Sequence, residues 1–137
     1  MKTSIEIAGM LLIALAALHV GFPRYFRWKD ELRGLSLINR QMTYVHTFFI
    51  ALTVFLMGLL SLSAADELLT TSLGKKVTLG FGVFWSARLV VQFVGYSPHL
   101  WRGKRWETIA HITFTLLWLY LSAVYFNAAI GSLKDDL

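Results

Sequence analysis

Four long apolar runs, which formal charge scarcely enters, restrict this chain more than any other feature. They cover Ile5–Phe22, Thr43–Ala65, Val77–Tyr96 and Thr108–Ile130. A helix rises about 1.5 Å per residue, so roughly 20 apolar residues cross the hydrocarbon core of a bilayer. The second and fourth runs hold no formal charge, the first has Glu6 at its edge, and the third carries Arg88 well inside. Lipid offers backbone amides no partner, so runs of this length must satisfy themselves as helices. The expected fold is therefore all-α: an integral membrane four-helix bundle, up-down-up-down, forming a single four-span domain over residues 1–137. Composition agrees, because 56% hydrophobic and 15% charged residues exceed what one small soluble core absorbs. The first run resembles a secretory signal, with Lys2 ahead of it and Ala14-Leu15-Ala16 as a mock cleavage site, and is expected to stay as a span.

The 13 Lys and Arg against 8 Asp and Glu would suit nucleic acid, but they fall between the apolar runs, and no nucleic-acid partner is expected. Arg24, Arg27, Lys29, Arg33 and Arg40 follow the first run, and Arg102, Lys104 and Arg105 follow the third; Lys2, Lys75, Lys76 and Lys134 lie on the opposite side. Loops rich in Lys and Arg stay cytoplasmic. The chain is thus expected in the inner (plasma) membrane as a multi-pass protein, with both termini non-cytoplasmic. Trp28, Trp101, Trp106, Tyr25, Tyr44 and Tyr96 lie near the basic ends, as an aromatic belt would. In the first loop, aromatic and basic residues alternate between Pro23, which can open a helix, and Gly34, which can close one. A short interfacial helix is expected there, its cations toward anionic lipid.

Polar residues inside the runs are the candidates for function, because ionisable groups in a membrane are costly and face inward. His19, His46, Gln92 and His111 each fall about one turn from the same end of their spans, so a ring of four at one depth is expected, with Arg88 one turn deeper than Gln92. Steps of three and four give candidate packing stripes: Gly9, Leu12, Ala16, His19; Met42, His46, Ile50, Thr53, Met57; Phe81, Trp85, Arg88, Gln92; and Thr108, His111, Thr115, Trp118, Ser122, Tyr125, Ala129. Such a pocket admits three chemistries. His46 and His111 would be the axial pair of a haem b, with His19, Gln92 and Arg88 supporting. His19, His46 and His111 would alternatively hold a single zinc or iron ion, as in a membrane enzyme acting on a lipid or prenyl substrate. A scaffold or accessory subunit would use the layer only to lock helices, with a membrane-protein partner or a second copy beside it. Arg88 also suits a phosphate or carboxylate headgroup, or a stack on Trp85. Glu107 stands four residues before His111, where it serves as a plain helix-start acid at the positive dipole end or orients the ring. Cysteine is absent, so thiolate chemistry is excluded.

Two weaker patterns remain. Val20-Gly21-Phe22-Pro23 and His46-Thr47-Phe48-Phe49 echo Val94-Gly95-Tyr96-Ser97-Pro98 and His111-Ile112-Thr113-Phe114, as in a two-hairpin repeat. Pro23-Arg24-Tyr25-Phe26, and Gly95-Tyr96 with His99, resemble the haem-linked membrane protoporphyrinogen oxidase family of small bacterial four-helix proteins. That resemblance covers a small part of the chain. The histidine that the family carries early in its first span falls near Ile7, and Arg88 stands where the family has lysine, so no activity or site is carried over.

The charge asymmetry yields a direct expectation. Alkaline phosphatase fused after Leu137 should be active and a fluorescent protein fused there dark; a dark phosphatase with a glowing fluorescent fusion would reverse the orientation.

Overall fold

The computed structural model describes the backbone of residues 1–134 and the side chains through Gly131, so the Lys134 side chain counted above lies outside the described residues. Every regular element is helical: α1 (Lys2–Tyr25), α2 (Trp28–Glu31), α3 (Leu37–Ser63), α4 (Ala65–Thr70), α5 (Ser72–Val94), a 3-10 turn (Pro98–Leu100) and α6 (Arg105–Lys134). Four of them, α1, α3, α5 and α6, are long and apolar enough to cross a membrane. The chain divides into two compact units, Glu6–Ala65, and Met1–Ile5 with residue 66 onward.

In the first unit α1 meets α3 at a pair of glycines. A Cβ on Gly58 would fall 2.8 Å from the Gly9 carbonyl oxygen, and one on Gly9 would fall 2.9 Å from that of Gly58. Two backbones approach this closely only where neither residue has a side chain, the arrangement that small residues provide between helices in apolar surroundings. The expected α1 stripe is present: Leu12 and Ala16 are buried and His19 half-buried. The expected α3 stripe is displaced by one residue. The buried face runs through Ala51, Val54, Met57, Gly58 and Ser61; of the expected stripe Met57 lies on it, whereas Met42, His46, Ile50 and Thr53 are exposed. One residue is about 100° of helix, so the displacement carries His46 off the packed face.

The loop helix also differs from expectation. Pro23 does not open it but sits in the last turn of α1, where Phe26 N–H still bonds the Phe22 carbonyl at 2.9 Å. The break comes at Arg27, whose φ of 54° is left-handed, and the helix that follows has only 4 residues. Its Trp28 ring meets Tyr44 of α3 edge-on at 5.6 Å. By contrast α5 stops at Val94 and Pro98 opens a 3-10 turn. The two halves of the apparent repeat thus fold differently at their matching prolines.

In the second unit α5 lies along α6, and rising numbers on one meet falling numbers on the other. Phe81 meets Tyr125 edge-on at 5.2 Å, Trp85 stacks on Trp118 at 5.2 Å and 8°, and Gln92 reaches His111. This is an antiparallel pair. Thr71 caps α5, accepting from Gly74 N–H at 2.9 Å. Gly74 packs so tightly on the Glu67 and Leu68 backbone that no Cβ fits. Lys2 Nζ pairs with Asp66 at 3.0 Å, an exposed contact of small energetic weight. Both α5 and α6 stripes are present: Trp85, Gln92, Trp118, Ser122, Tyr125 and Ala129 are buried, with Phe81, Arg88, His111 and Thr115 half-buried.

Gly58→Val should lower stability by about 1–3 kcal/mol through overpacking. Gly80→Ala, where nothing lies within 4 Å of the new Cβ, should be neutral or stabilising. Thermal unfolding in detergent measures both; an unchanged midpoint for Gly58→Val would contradict the crossing.

Candidate functional site

The polar residues of α5 and α6 converge on one primary amide. Gln92 is 6% exposed, on the face of α5 that also carries Trp85 and Arg88. Its Oε1 accepts from Arg88 Nη1 at 3.3 Å and from Trp118 Nε1 at 3.3 Å. Its Nε2 faces His111 Nδ1 at 3.2 Å and donates to the His111 carbonyl oxygen at 3.4 Å. An amide has two lone pairs and two N–H groups, and all four are spent here on the helix pair.

This arrangement fixes its own polarity. Arg88 and Trp118 bring only donors, so the amide oxygen must face them and the NH2 must face His111. His111 Nδ1 therefore accepts, and in the neutral ring Nε2 carries the proton. Trp101 stacks on the ring at 4.5 Å and 13°, and Phe93 meets it edge-on at 6.2 Å. Trp101 is held in turn by Thr108, whose hydroxyl donates to the Trp101 carbonyl. Glu107 is exposed in the first turn of α6, as a plain helix-start acid would be, and His111 Nδ1 faces Gln92.

Arg88 is half-buried and reaches two neutral acceptors, Gln92 Oε1 and the Tyr96 hydroxyl, the latter 3.4 Å from Nη2. Its guanidinium lies 4.8 Å from the Trp118 ring centroid and 5.5 Å from that of Tyr96. The aromatic partner expected from sequence was Trp85; the structure gives Trp118, and Trp85 stacks behind it. Trp85 Nε1 is buried and makes no hydrogen bond among the described residues. Tyr96 and Trp101 were placed by sequence only in an aromatic belt, yet both belong to this cluster. Their signal is their position at the end of the third span and just beyond it, downstream of Gln92.

Of the expected ring of four, the structure brings Gln92 and His111 together. His19 Nδ1 donates to the Leu15 carbonyl at 2.9 Å, one turn back on its own helix, and its ring packs on Phe22 at 4.7 Å. His46 is exposed on α3. His99 is exposed in the 3-10 turn. Among the described residues, no three His, Cys, Asp or Glu side chains stand close enough to hold a metal ion. The three-histidine centre of His19, His46 and His111 therefore finds no support. The haem pair gains no support either: His46 is exposed on α3, and His111 Nδ1 faces the Gln92 amide.

Comparison with family models, curated proteins and solved structures finds no match. The short resemblance noted above gains nothing from it.

The network makes Gln92 the residue whose loss costs most. Gln92→Leu should destabilise the protein by about 2–4 kcal/mol, since an unsatisfied buried group costs about 1–3 kcal/mol and several are stranded together. Tyr96→Phe should cost under about 1 kcal/mol, the ring being exposed. Equal thermal midpoints for the two variants in detergent would contradict this ranking.

Proposed function

We propose that this chain is a multi-pass membrane protein that acts as a non-catalytic accessory or scaffold subunit, its polar layer serving to fasten helices. The observation that carries the reading is the Gln92 amide, whose four hydrogen bonds are all spent between α5 and α6. A residue so engaged holds a shape and has no valence left for a substrate.

The membrane setting rests on the outward faces. Phe48 and Phe55 on α3, Val83 and Val90 on α5, and Leu116 and Leu119 on α6 are all exposed. In water such faces would form apolar patches far larger than soluble monomers carry. Facing lipid they cost nothing. The buried hydroxyls behave accordingly: Ser61, Thr78 and Ser122 each donate to a carbonyl one turn back, at 2.9, 3.0 and 2.7 Å. In this reading the aromatic and basic ends of the spans sit at the headgroups of the inner membrane, with the termini on the non-cytoplasmic side. The partner of such a subunit is a second membrane protein or a second copy.

The test begins with the purified protein. It should stay with membranes through alkaline carbonate, show no Soret band and hold no stoichiometric zinc or iron. His46→Ala should keep its cellular level and restore any deletion phenotype, whereas Gln92→Leu should lose both together. A Soret band abolished by His46→Ala and His111→Ala would replace the scaffold reading with a redox one. Release by carbonate would refute membrane insertion.

A further inference from the structure

The Arg88 cluster has more donors than acceptors. Arg88 uses two of its five N–H groups. Tyr96 accepts from Arg88, so its own O–H remains to be given. His111, accepting at Nδ1, holds a proton on Nε2. The network's strongest acceptor, Gln92 Oε1, already takes two bonds. Water would serve the neutral donors, but the charge is a separate matter.

From Ser72 to Gly131 the only acidic residue is Glu107, which is exposed, while Arg88, Arg102, Lys104 and Arg105 cluster at this end of the helix pair. The ion pairs among the described residues join Lys2 to Asp66, and Arg27 and Arg33 to Asp30. None reaches Arg88. Its contacts of 3.3 and 3.4 Å are long beside charge-assisted bonds of about 2.7–2.9 Å. A guanidinium inside an apolar helix, walled by Trp118 and Tyr96 and lacking a carboxylate, calls for an anion from outside the chain. A planar fork of donors fits phosphate oxygens two at a time.

We propose that Arg88, with Tyr96, forms a binding site for a phosphate-bearing anion, supplied by the headgroup of an anionic phospholipid. The inference rests on the membrane reading but not on the scaffold role. Headgroup phosphates lie at the level of interfacial Tyr and Trp side chains, and Tyr96 and Trp101 flank the cluster. Exposed Arg102, Lys104 and Arg105 would draw anionic lipid to this end without selecting it.

The experiment uses the full chain in neutral detergent, titrated with phosphatidylglycerol, phosphatidylcholine or inorganic phosphate. Thermal midpoint and native mass spectrometry are the readouts. Phosphatidylglycerol should bind in a defined stoichiometry and raise the midpoint, with phosphatidylcholine much weaker. Arg88→Gln should weaken this binding about tenfold or more, the scale of one or two charged hydrogen bonds. Arg88→Lys should weaken it several-fold, keeping the charge and losing the fork. Joint replacement of Arg102, Lys104 and Arg105 by Gln should reduce it only about two- to threefold and chiefly at low salt. A response to inorganic phosphate that Arg88→Gln abolishes would keep the site and assign it a soluble source. If Arg88→Gln does not fold, Arg88→Lys and Tyr96→Phe decide, and wild-type affinity in both overturns the site. Equal binding of the two lipids, or loss only in the triple variant, also overturns it. A protein that stays in membranes yet fails these arms loses the site and keeps its membrane assignment.

Discussion

A primary amide removed from water must find four partners or destabilise the fold around it, and Gln92 finds all four on α5 and α6. Because two of them bring only donors, the amide has one orientation. That orientation sets the tautomer of His111, which sits between Trp101 and Phe93. It also places Arg88 against the Trp118 ring, with Trp85 stacked parallel beyond. Direction, protonation and aromatic packing at this end of the pair all follow from one side chain. In a low-dielectric setting such a network is stable only when closed, since an unpaired member costs more there than in water.

The Gln92 amide closes its own hydrogen bonds, but Arg88 beside it keeps spare donors and a charge without a counter-ion among the described residues. The result is a positively charged corner beside a saturated amide. A scaffold that orders helices and meets anionic lipid uses both properties.

Much of the fold was legible because apolar length and three-four spacing are strong signals. The spans, the α5 and α6 stripes, and the small-residue stripe on α1 all follow from them. The α3 stripe was not legible, because nearly every residue from Val45 to Leu62 is apolar and no polar face marks the outside. His46 marks a different face, and of the expected stripe only Met57 joins the actual seam, built on Ala51, Val54, Met57, Gly58 and Ser61. Gly58, the residue that lets α1 and α3 touch, carries no periodic signal of its own. Pro23 misled for a related reason: a proline near a helix end is tolerated in the last turn as readily as in a first one, and backbone geometry at Arg27 decided the matter. Within the candidate site, Arg88, Gln92 and His111 were legible as inward polar residues at adjacent depths. Tyr96 was not, since its role arises from the fold bringing its hydroxyl to Nη2 of Arg88.

The central claim is the direction of the hydrogen bond between Gln92 and His111, and nitrogen NMR reads it. In protein labelled with 15N at histidine, solubilised at neutral pH, His111 should show a protonated Nε2 and an unprotonated Nδ1 coupled to the Gln92 side-chain amide, with Gln92→Leu removing that coupling. A proton on Nδ1, or an Nε2 signal shifted by a bound metal, would contradict the account and return His111 to the list of ligands.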